Sequence, residues 1–358
     1  MFNFLTNNQI PFGLDINDRS LKIAKAKQTA KGIQLVSCGR VDIPEGIISR
    51  GVIQKTDELI KVLKEMSSSV KGETLGTKKC ICALAESETF LKVVEMPLLQ
   101  ESEMQEAIKW GAEANFPFRF DQMYLDWQTI EPIQKKPDKI QVLITALPRD
   151  LADSYFSILT KAGLEPLVFG IEAAAIARST IKDDYAEKPQ LILDLGFRRS
   201  SAIIFSGHSI YFTVSFPFSI EQLVTAIVKE FGVSFDEAIE LKDKFGLDSS
   251  LGNEKISNIL VSKIDELILN ARAFIDFYEE RPSIGNPNEE KIAKILLCGG
   301  GASIPNISKY LAEKIGVAAE VCNPLINYLP TVNSKIIPNR LETFTTAFGL
   351  AIRGAKNF

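Results

Sequence analysis

The sequence predicts a mixed α/β protein with a duplicated, two-lobed fold and a smaller α+β subdomain inserted into the first lobe. An apolar run that ends in an aspartate, a tight polar turn and a second apolar run occur twice, at residues 12–22 and 191–201. Each occurrence is typical of a β-hairpin with a carboxylate at its mouth. Residues 88–166 follow a βαββα order, which indicates the separate subdomain. The length of 358 residues also exceeds a single ordinary core.

The first half alternates predicted strands and helices after its hairpin. Thr56 begins a helix whose apolar side chains form one stripe, and the insertion shows its own alternation of strands and helices. Glu172 then opens an alanine-rich helix, where the helix dipole favours a carboxylate. In chain order the elements are a strand near 32–43, a helix from 56, strands at 78–84 and 90–95, a helix at 101–115, strands at 124–132 and 140–147, a helix at 150–162, a strand at 167–171 and a helix at 173–181.

The second half starts after a polar segment at 183–189, which is the natural boundary between the halves. It repeats the aspartate hairpin and then becomes strongly helical, with apolar residues at helical spacing. The remaining predicted elements are a strand at 209–216, helical sequence from 220 to 281 with its longest helix at 254–280, a strand before Gly299, a helix at 305–315 and a last helix at 339–353.

Composition and charge exclude several classes of function. The five cysteines lie mostly in apolar runs without metal-ligand spacing, so neither a disulfide framework nor a zinc site is expected. The turn composition around the single histidine, His208, disfavours a Ser-His-Asp triad. A formal net charge of −4 without a basic block disfavours a nucleic-acid partner. No apolar stretch approaches the roughly 20 residues of a bilayer-spanning helix, so we expect a cytoplasmic protein.

Three short motifs carry groups suited to a metal nucleotide. Backbone N–H groups in each hairpin turn can hold phosphate oxygens, and Asp15 and Asp194 can approach a nucleotide-bound cation from the two halves. Gly299, Gly300 and Gly301 follow a buried strand and let the main chain approach a flat or charged ligand. An aspartate in such a turn also commonly hydrogen-bonds its own backbone, and this alternative stays open for each hairpin.

An aromatic cluster ends the first helix of the insertion. Its members are Trp110, Phe116, Pro117, Phe118 and Phe120. Packing under the helix terminus is the favoured interpretation, and a partner-binding groove is the alternative, because aromatic side chains serve both purposes.

Sequence motifs that support a family assignment span nearly the whole chain, and those of the insertion are the most specific. They are Gly13-Leu14-Asp15-Ile16 with Lys22, Glu95-Met96-Pro97, Ala107-Ile108-Lys109-Trp110, Phe116-Pro117-Phe118, Leu125-Asp126-Trp127-Gln128, Ala162-Gly163-Leu164-Glu165-Pro166, Asp194-Leu195-Gly196, Glu237-Ala238, Leu241-Lys242, Gly299-Gly300, Ala302-Ser303-Ile304-Pro305 and Ala347-Phe348-Gly349-Leu350-Ala351. The sequence resembles the actin-like ATPase superfamily and, within it, the PilM family of type IV pilus assembly proteins, which is related to the division protein FtsA.

The resemblance implies ATP and Mg²⁺ as cofactors. Asp15 and Asp194 would face the magnesium nucleotide, Glu172 would order the waters of the cation as the one candidate catalytic residue, and Lys242 would reach the ribose. The implied nucleotide-binding residues are Asp15, Asn17, Ser20, Lys22, Asp194, Gly196, Ser200, Lys242, Gly299, Gly300, Gly301 and Ser303.

The resemblance also implies the domain organisation. The first lobe comprises 8–87, 167–186 and the C-terminal segment 331–358, and the inserted FtsA/PilM-type subdomain comprises 88–166. The second lobe has its core at 189–218 and 290–330, the latter with the adenosine motif, and a helical subdomain at 219–289.

In function, the resemblance implies a nucleotide-binding scaffold for pilus assembly and twitching motility. Such a protein is cytoplasmic and peripheral at the inner face of the inner membrane. It docks the N-terminal cytoplasmic tail of a PilN-like membrane protein and links the alignment complex to the pilus motor. The partner groove would include Trp110, Phe116 and Phe118, and self-association is compatible with the family.

Several residues depart from the family pattern. Asn17, Asp18 and Arg19 replace small residues in the first phosphate turn, where the carboxylate of Asp18 would repel phosphate. Arg198 and Arg199 replace small residues in the second turn. The sequence therefore predicts weak or altered nucleotide binding, unless the arginines bind phosphate by charge-assisted hydrogen bonds. We expect slow or absent hydrolysis, because Glu172 is the single candidate for orienting the attacking water.

Two alternative functions on the same fold stay open. An FtsA-like division protein would form filaments and use a C-terminal amphipathic helix as an anchor, whereas this sequence stops soon after its last core helix. A small-molecule kinase would need a general-base aspartate in a substrate cleft, and no such loop is evident.

Overall fold

The computed structural model describes residues 9–84, 89–115, 119–130, 138–248, 250, 254–280, 291–331 and 333–358. These residues fall into two compact units. The first unit contains the N-terminal segment up to 88 with 149–180 and 324–358, and the second contains 89–148 with 181–323. Finer subdomain boundaries remain predictions.

The described elements keep the strand and helix order that the sequence predicts. The strands are β1 (Phe12–Ile16), β2 (Ser20–Thr29), β3 (Gly32–Asp42), β4 (Ile48–Ser49), β5 (Val52–Ile53), β6 (Lys71–Gly72), β7 (Lys79–Leu84), β8 (Phe90–Pro97), β9 (Met123–Ile130), β10 (Lys139–Pro148), β11 (Glu165–Ile171), β12 (Ala186–Leu195), β13 (Ser200–Gly207), β14 (Ser209–Phe216), β15 (Lys294–Cys298) and β16 (Ala319–Val321). The helices are α1 (Thr56–Glu65), α2 (Glu101–Asn115), α3 (Arg149–Lys161), α4 (Glu172–Thr180), α5 (Ile220–Phe231), α6 (Phe235–Phe245), α7 (Glu254–Glu279), α8 (Ile307–Ile315) and α9 (Thr345–Asn357).

The first unit is built on a sheet with the strand order β11-β7-β1-β2-β3-β6. Helix α9 lies directly on β1, because a Cβ at Gly13 would be 2.5 Å from the Ala347 carbonyl oxygen. Helix α4 packs closely against α9 as well, since a Cβ at Gly349 would be 1.8 Å from the Ala175 carbonyl oxygen. Glycine at these positions therefore allows the two helices and the sheet to pack backbone against backbone.

The second unit contains a sheet with the strand order β14-β13-β12-β15-β16. Alternate residues of β12 and β15, among them Leu193, Leu195 and Leu297, belong to one apolar core with residues of α5, α6, α7 and α8. Because side chains alternate between the faces of a strand, Asp194 points to the opposite face. The apolar face of β12 thereby determines to which side of the sheet the Asp194 carboxylate points.

The insertion has the predicted βαββα order, which is present as β8, α2, β9, β10 and α3, of which α3 belongs to the first compact unit. Its strands form a separate sheet in the order β8-β10-β9, and α2 covers one face through Met104 and Ile108. Trp110 of α2 is 72% exposed, which contradicts the favoured interpretation that it packs under the helix terminus. Phe116 and Phe118 lie outside the described residues.

The last helix differs from its prediction. It begins at Thr345 rather than at residue 339, and Leu341–Phe344 form a single 3-10 turn before it. Proline at 338 favours a helix start by local propensity, but Arg340 adopts the non-helical angles φ −120° and ψ 77°. The helical conformation therefore does not begin at the proline, and the 3-10 turn precedes α9.

No helix in the described ranges combines the length and the apolar character that crossing a bilayer requires.

Candidate functional site

The first hairpin places Asp15 at the end of β1, directly opposite Lys22 of β2. The Lys22 Nζ atom donates to Asp15 Oδ2 at 2.9 Å, and both residues are buried. A buried carboxylate is tolerated when an ion pair and hydrogen bonds replace its lost hydration. The structure thus joins these predicted site residues as one buried ion pair.

The first turn is closed by the side chain of Asn17. Its Oδ1 atom accepts hydrogen bonds from the backbone N–H of Arg19 at 3.1 Å, the N–H of Ser20 at 3.0 Å and the Ser20 hydroxyl at 3.2 Å. The alternative that the sequence left open concerned the aspartate of the hairpin. Here Asn17 binds the backbone of the turn instead, and Asp15 is paired with Lys22. A phosphate must therefore compete with Asn17 for these amide groups.

The carboxylate of Asp18 binds the turn of a neighbouring hairpin. Its Oδ2 accepts from the Arg50 N–H at 2.7 Å and its Oδ1 from the Gly51 N–H at 2.9 Å. These bonds offset the negative charge that the sequence placed beside the phosphates. Sequence reasoning missed this contact, because it joins segments 32 residues apart.

Glu172 lies at the same end of this sheet as Asp15. The register pairs Asp15 with Ala83 of β7, and Ala83 with Gly170 of β11, so Asp15 and Gly170 are two strand spacings apart. That separation is about 10 Å, and Glu172 follows Gly170 by two residues at the first turn of α4. The placement suits a carboxylate that acts through water.

The second hairpin sets a row of polar groups across its sheet. Asp194 is opposite Ser201 of β13 and beside Cys298 of the parallel strand β15, and Ser201 is opposite Ser215 of β14. Burial, followed by the neighbouring Cys322 thiol and the Asp194 carboxylate, raises the pKa of the Cys298 thiol well above its ordinary value. The Cys298 thiol donates to the Leu193 carbonyl oxygen at 3.7 Å.

Three serine hydroxyls of β13, those of Ser200, Ser201 and Ser206, have no hydrogen-bond partner among the described residues. Ser200 is 1% exposed and Ser201 is 4% exposed. Unsatisfied buried polar atoms are uncommon in native proteins, and a bound ligand or water is one explanation for them. Ser201 also shares the face of Asp194, which sequence reasoning missed because only the strand register shows it.

The glycine turn packs against Asp194. Gly299 has φ +76°, and a Cβ there would lie 2.3 Å from Asp194 Oδ1. A Cβ at Gly301 would lie 2.7 Å from the Leu195 Cβ, and one at Gly196 would lie 2.3 Å from the Arg199 carbonyl oxygen. A Cβ at Gly300 would meet no described atom within 4 Å, so this glycine leaves the turn open to a ligand. The Ser303 hydroxyl donates to the Gly300 carbonyl oxygen at 3.4 Å.

Lys242 of α6 is almost completely buried and forms an ion pair with Asp243. The end of α6 is joined to the exit of the glycine turn, because the Leu247 N–H donates to the Pro305 carbonyl oxygen at 3.0 Å. A Cβ at Gly246 would also lie 2.5 Å from Pro305. The structure therefore brings the end of α6 to the glycine turn. The ammonium group of Lys242 is buried within the second unit.

The two arginines of the second turn have different surroundings. Arg198 Nε lies 3.7 Å from Glu221 Oε1 of α5. The guanidinium group of Arg199 makes no hydrogen bond or ion pair with the residues that the structure describes. Arg199 is thus the cation of this turn with donors available to an anion.

The predicted site residues form one set in each unit. The set of the first unit is Asp15, Asn17, Ser20, Lys22 and Glu172, and that of the second is Asp194, Gly196, Ser200, Lys242, Gly299, Gly300, Gly301 and Ser303. Each set surrounds the mouth of an aspartate hairpin.

Two units with hairpin-led sheets, aspartates at the strand ends and a glycine turn define the class of actin-like ATPase folds. A chain of the solved PilM-PilN type IV pilus biogenesis complex is 22% identical, with a TM-score of 0.79 over 97% of this chain and 99% of that chain. The ethanolamine utilization protein EutJ from Carboxydothermus hydrogenoformans is 14% identical, with a TM-score of 0.56 over 96% and 89%. MreB5 of Spiroplasma citri bound to ADP is 14% identical, with a TM-score of 0.53 over 95% of each chain.

The model of the family described as type IV pilus assembly protein PilM matches residues 13–355. The chain belongs to this family.

Proposed function

We propose that the chain is a nucleotide-responsive scaffold of type IV pilus assembly that docks the N-terminal cytoplasmic tail of a PilN-like inner-membrane protein. The family match over residues 13–355 carries the assembly role. The partner is supported by the similarity to a chain of the PilM-PilN complex over 97% of this chain. Attachment to this partner would hold the protein at the inner face of the inner membrane, and a link to the pilus motor follows from the same role.

The nucleotide part of the proposal depends on the second hairpin. Ser200 and Ser201 present buried hydroxyls without a described partner, and in the same unit a Cβ at Gly300 would meet no described atom within 4 Å. These groups fit the phosphates and base of a nucleotide, and the ADP bound to MreB5 is a precedent on this fold. Asp194 of this unit would hold Mg²⁺ through its waters, and the ion would offset the charge of the phosphates. In the first unit, Asp15 is the proposed metal-binding residue.

The phosphate-binding groups differ in the two turns. In the first turn the amide groups of Arg19 and Ser20 are already bonded to Asn17, so phosphate gains little there without a rearrangement. In the second turn Arg199 offers charge-assisted hydrogen bonds. We therefore propose that the second turn supplies most of the affinity for the nucleotide.

Hydrolysis would be slow or absent. Efficient phosphoryl transfer needs a metal, a phosphate cradle and a residue that orients water. Glu172 is the candidate for the last role, and its position at the first turn of α4 is one that any carboxylate favours. The proposed function therefore uses nucleotide binding as a signal rather than turnover.

Trp110 is proposed as part of the tail-binding surface, together with Phe116 and Phe118. Because Trp110 is largely exposed on α2, its truncation removes apolar contact area without opening a cavity. We expect Trp110→Ala to weaken binding of a synthetic peptide of the PilN-like tail by about tenfold or more, as large aromatic side chains often dominate an interface. Fluorescence anisotropy with a labelled peptide measures this effect.

The matched control is Leu269→Ala, which removes another exposed apolar side chain from helix α7. Equal peptide affinity for wild type, Trp110→Ala and Leu269→Ala would contradict the proposed surface. No peptide binding by folded wild-type protein, with and without MgATP, would contradict the docking function itself.

A further inference from the structure

A two-residue hairpin turn lies beside the first phosphate turn. Strands β4 and β5 pair Ile48 with Ile53 and Ser49 with Val52, which leaves Arg50 and Gly51 as the turn. Their φ angles are +53° and +80°, as the twist of a two-residue hairpin favours. The two N–H groups of this turn both donate to the carboxylate of Asp18, at 2.7 and 2.9 Å. One carboxylate therefore accepts hydrogen bonds from both residues of the turn.

Gly51 is also held from its other side. Its carbonyl oxygen accepts a hydrogen bond of 2.8 Å from the hydroxyl of Tyr155, which is buried in α3. Helix α3 begins at Arg149, immediately after the central strand β10 of the inserted sheet. Asp18, Gly51 and Tyr155 thus connect the phosphate turn to the helix that leads out of the insertion.

The first turn has further ties to the same loop. The Ile43 N–H donates to the Arg19 carbonyl oxygen at 2.9 Å, and Arg19 lies 3.7 Å from Glu45. A phosphate at this turn would compete with Asn17 for the Arg19 and Ser20 amides. It would also repel the carboxylate of Asp18, which has the same sign of charge. A phosphate bound here would therefore disturb the hydrogen bonds of Asn17 and Asp18.

We propose that Asp18 is a positioning residue that transmits phosphate occupancy of the first turn to α3 through Gly51 and Tyr155. The inference deepens the proposed function and rests on it, because the signal is the bound nucleotide. When Asp18 is displaced, the N–H groups of Arg50 and Gly51 lose their acceptor. Gly51 is also the residue whose carbonyl oxygen accepts a hydrogen bond from Tyr155. The nucleotide thereby changes α3, the helix adjoining the insertion in sequence, without touching it.

Hydrogen–deuterium exchange tests this link in two stages. Without nucleotide, Asp18→Ala is expected to raise exchange at 50–52 by about tenfold or more, because charge-assisted hydrogen bonds are lost. Asp42→Ala removes an exposed carboxylate that pairs with Arg40 and should leave 50–52 unchanged. Asp18→Asn provides a milder variant of the same size, should Asp18→Ala unfold.

The second stage adds saturating MgATP. Wild-type protein should change its exchange both at 48–53 and at 150–158. Tyr155→Phe should keep the change at 48–53 and lose it at 150–158, since the phenyl ring retains the packing but not the hydrogen bond. Wild-type exchange at 50–52 in both Asp18 variants, no response to nucleotide at 150–158, or the same response in Tyr155→Phe would each overturn the proposal. Failure of the proposed function is distinguishable, because it would appear as absent MgATP binding in calorimetry.

Discussion

Lys22→Met is expected to lower the free energy of unfolding by about 3–5 kcal/mol, the usual cost of removing one partner of a buried ion pair. Lys22 Nζ is 2.9 Å from Asp15 Oδ2, and water reaches neither side chain freely. The variant leaves the Asp15 carboxylate buried without its cation. Asp15→Asn combined with Lys22→Met should be less destabilised than Lys22→Met, because no unpaired charge remains. Urea denaturation followed by circular dichroism measures both variants.

The control is Lys27→Met in the same strand β2. Lys27 forms an ion pair with Glu73 that is exposed to solvent, and such pairs contribute about 0–1 kcal/mol. Similar losses of stability in Lys22→Met and Lys27→Met would show that the Asp15–Lys22 pair is hydrated and is no structural part of the hairpin mouth.

Gly299→Ala is expected to lower the affinity for MgATP by about 100-fold, which corresponds to roughly 3 kcal/mol. A Cβ at this residue would lie 2.3 Å from Asp194 Oδ1, so the carboxylate must move. The backbone also has φ +76°, which alanine adopts only with strain. The same change should reduce stability by about 1–3 kcal/mol through overpacking.

Gly300→Ala separates binding from stability. Since its Cβ would meet no described atom within 4 Å, we expect a free energy of unfolding within about 0.5 kcal/mol of wild type. The methyl group would enter the space proposed for the ligand and lower MgATP affinity by about tenfold, a cost of about 1.4 kcal/mol. Wild-type MgATP affinity in Gly299→Ala would show that the position of Asp194 is unimportant for binding.

The sequence was sufficient for features that depend on local pattern. Alternating apolar residues and polar turns predicted both aspartate hairpins, and the βαββα order predicted the inserted sheet and its helix. The strand before Gly299 was also recognisable, because a buried apolar run followed by three glycines is a strong local signal. The family motifs extended these predictions to the candidate residues of the site.

Features that depend on pairing between distant segments could not be predicted in this way. The bond from Asp18 to the turn at Arg50 and the row of Ser201, Asp194 and Cys298 follow from strand register and loop packing. The start of α9 was misplaced because the proline signal does not reveal the non-helical backbone of Arg340 or the 3-10 turn that follows it. Burial of Lys242 beside Asp243 is likewise a property of the assembled unit.

Calorimetric titration with MgATP tests the central claim most directly, using wild type, Asp194→Asn and the exposed-site control Asp121→Asn. The account predicts saturable binding by wild type and Asp121→Asn. Asp194→Asn should bind about 100-fold more weakly, because a charged group that holds the cation is lost. No saturable heat with folded wild-type protein, or equal affinity in Asp194→Asn, would contradict a nucleotide-responsive scaffold and would leave a nucleotide-independent adaptor of pilus assembly.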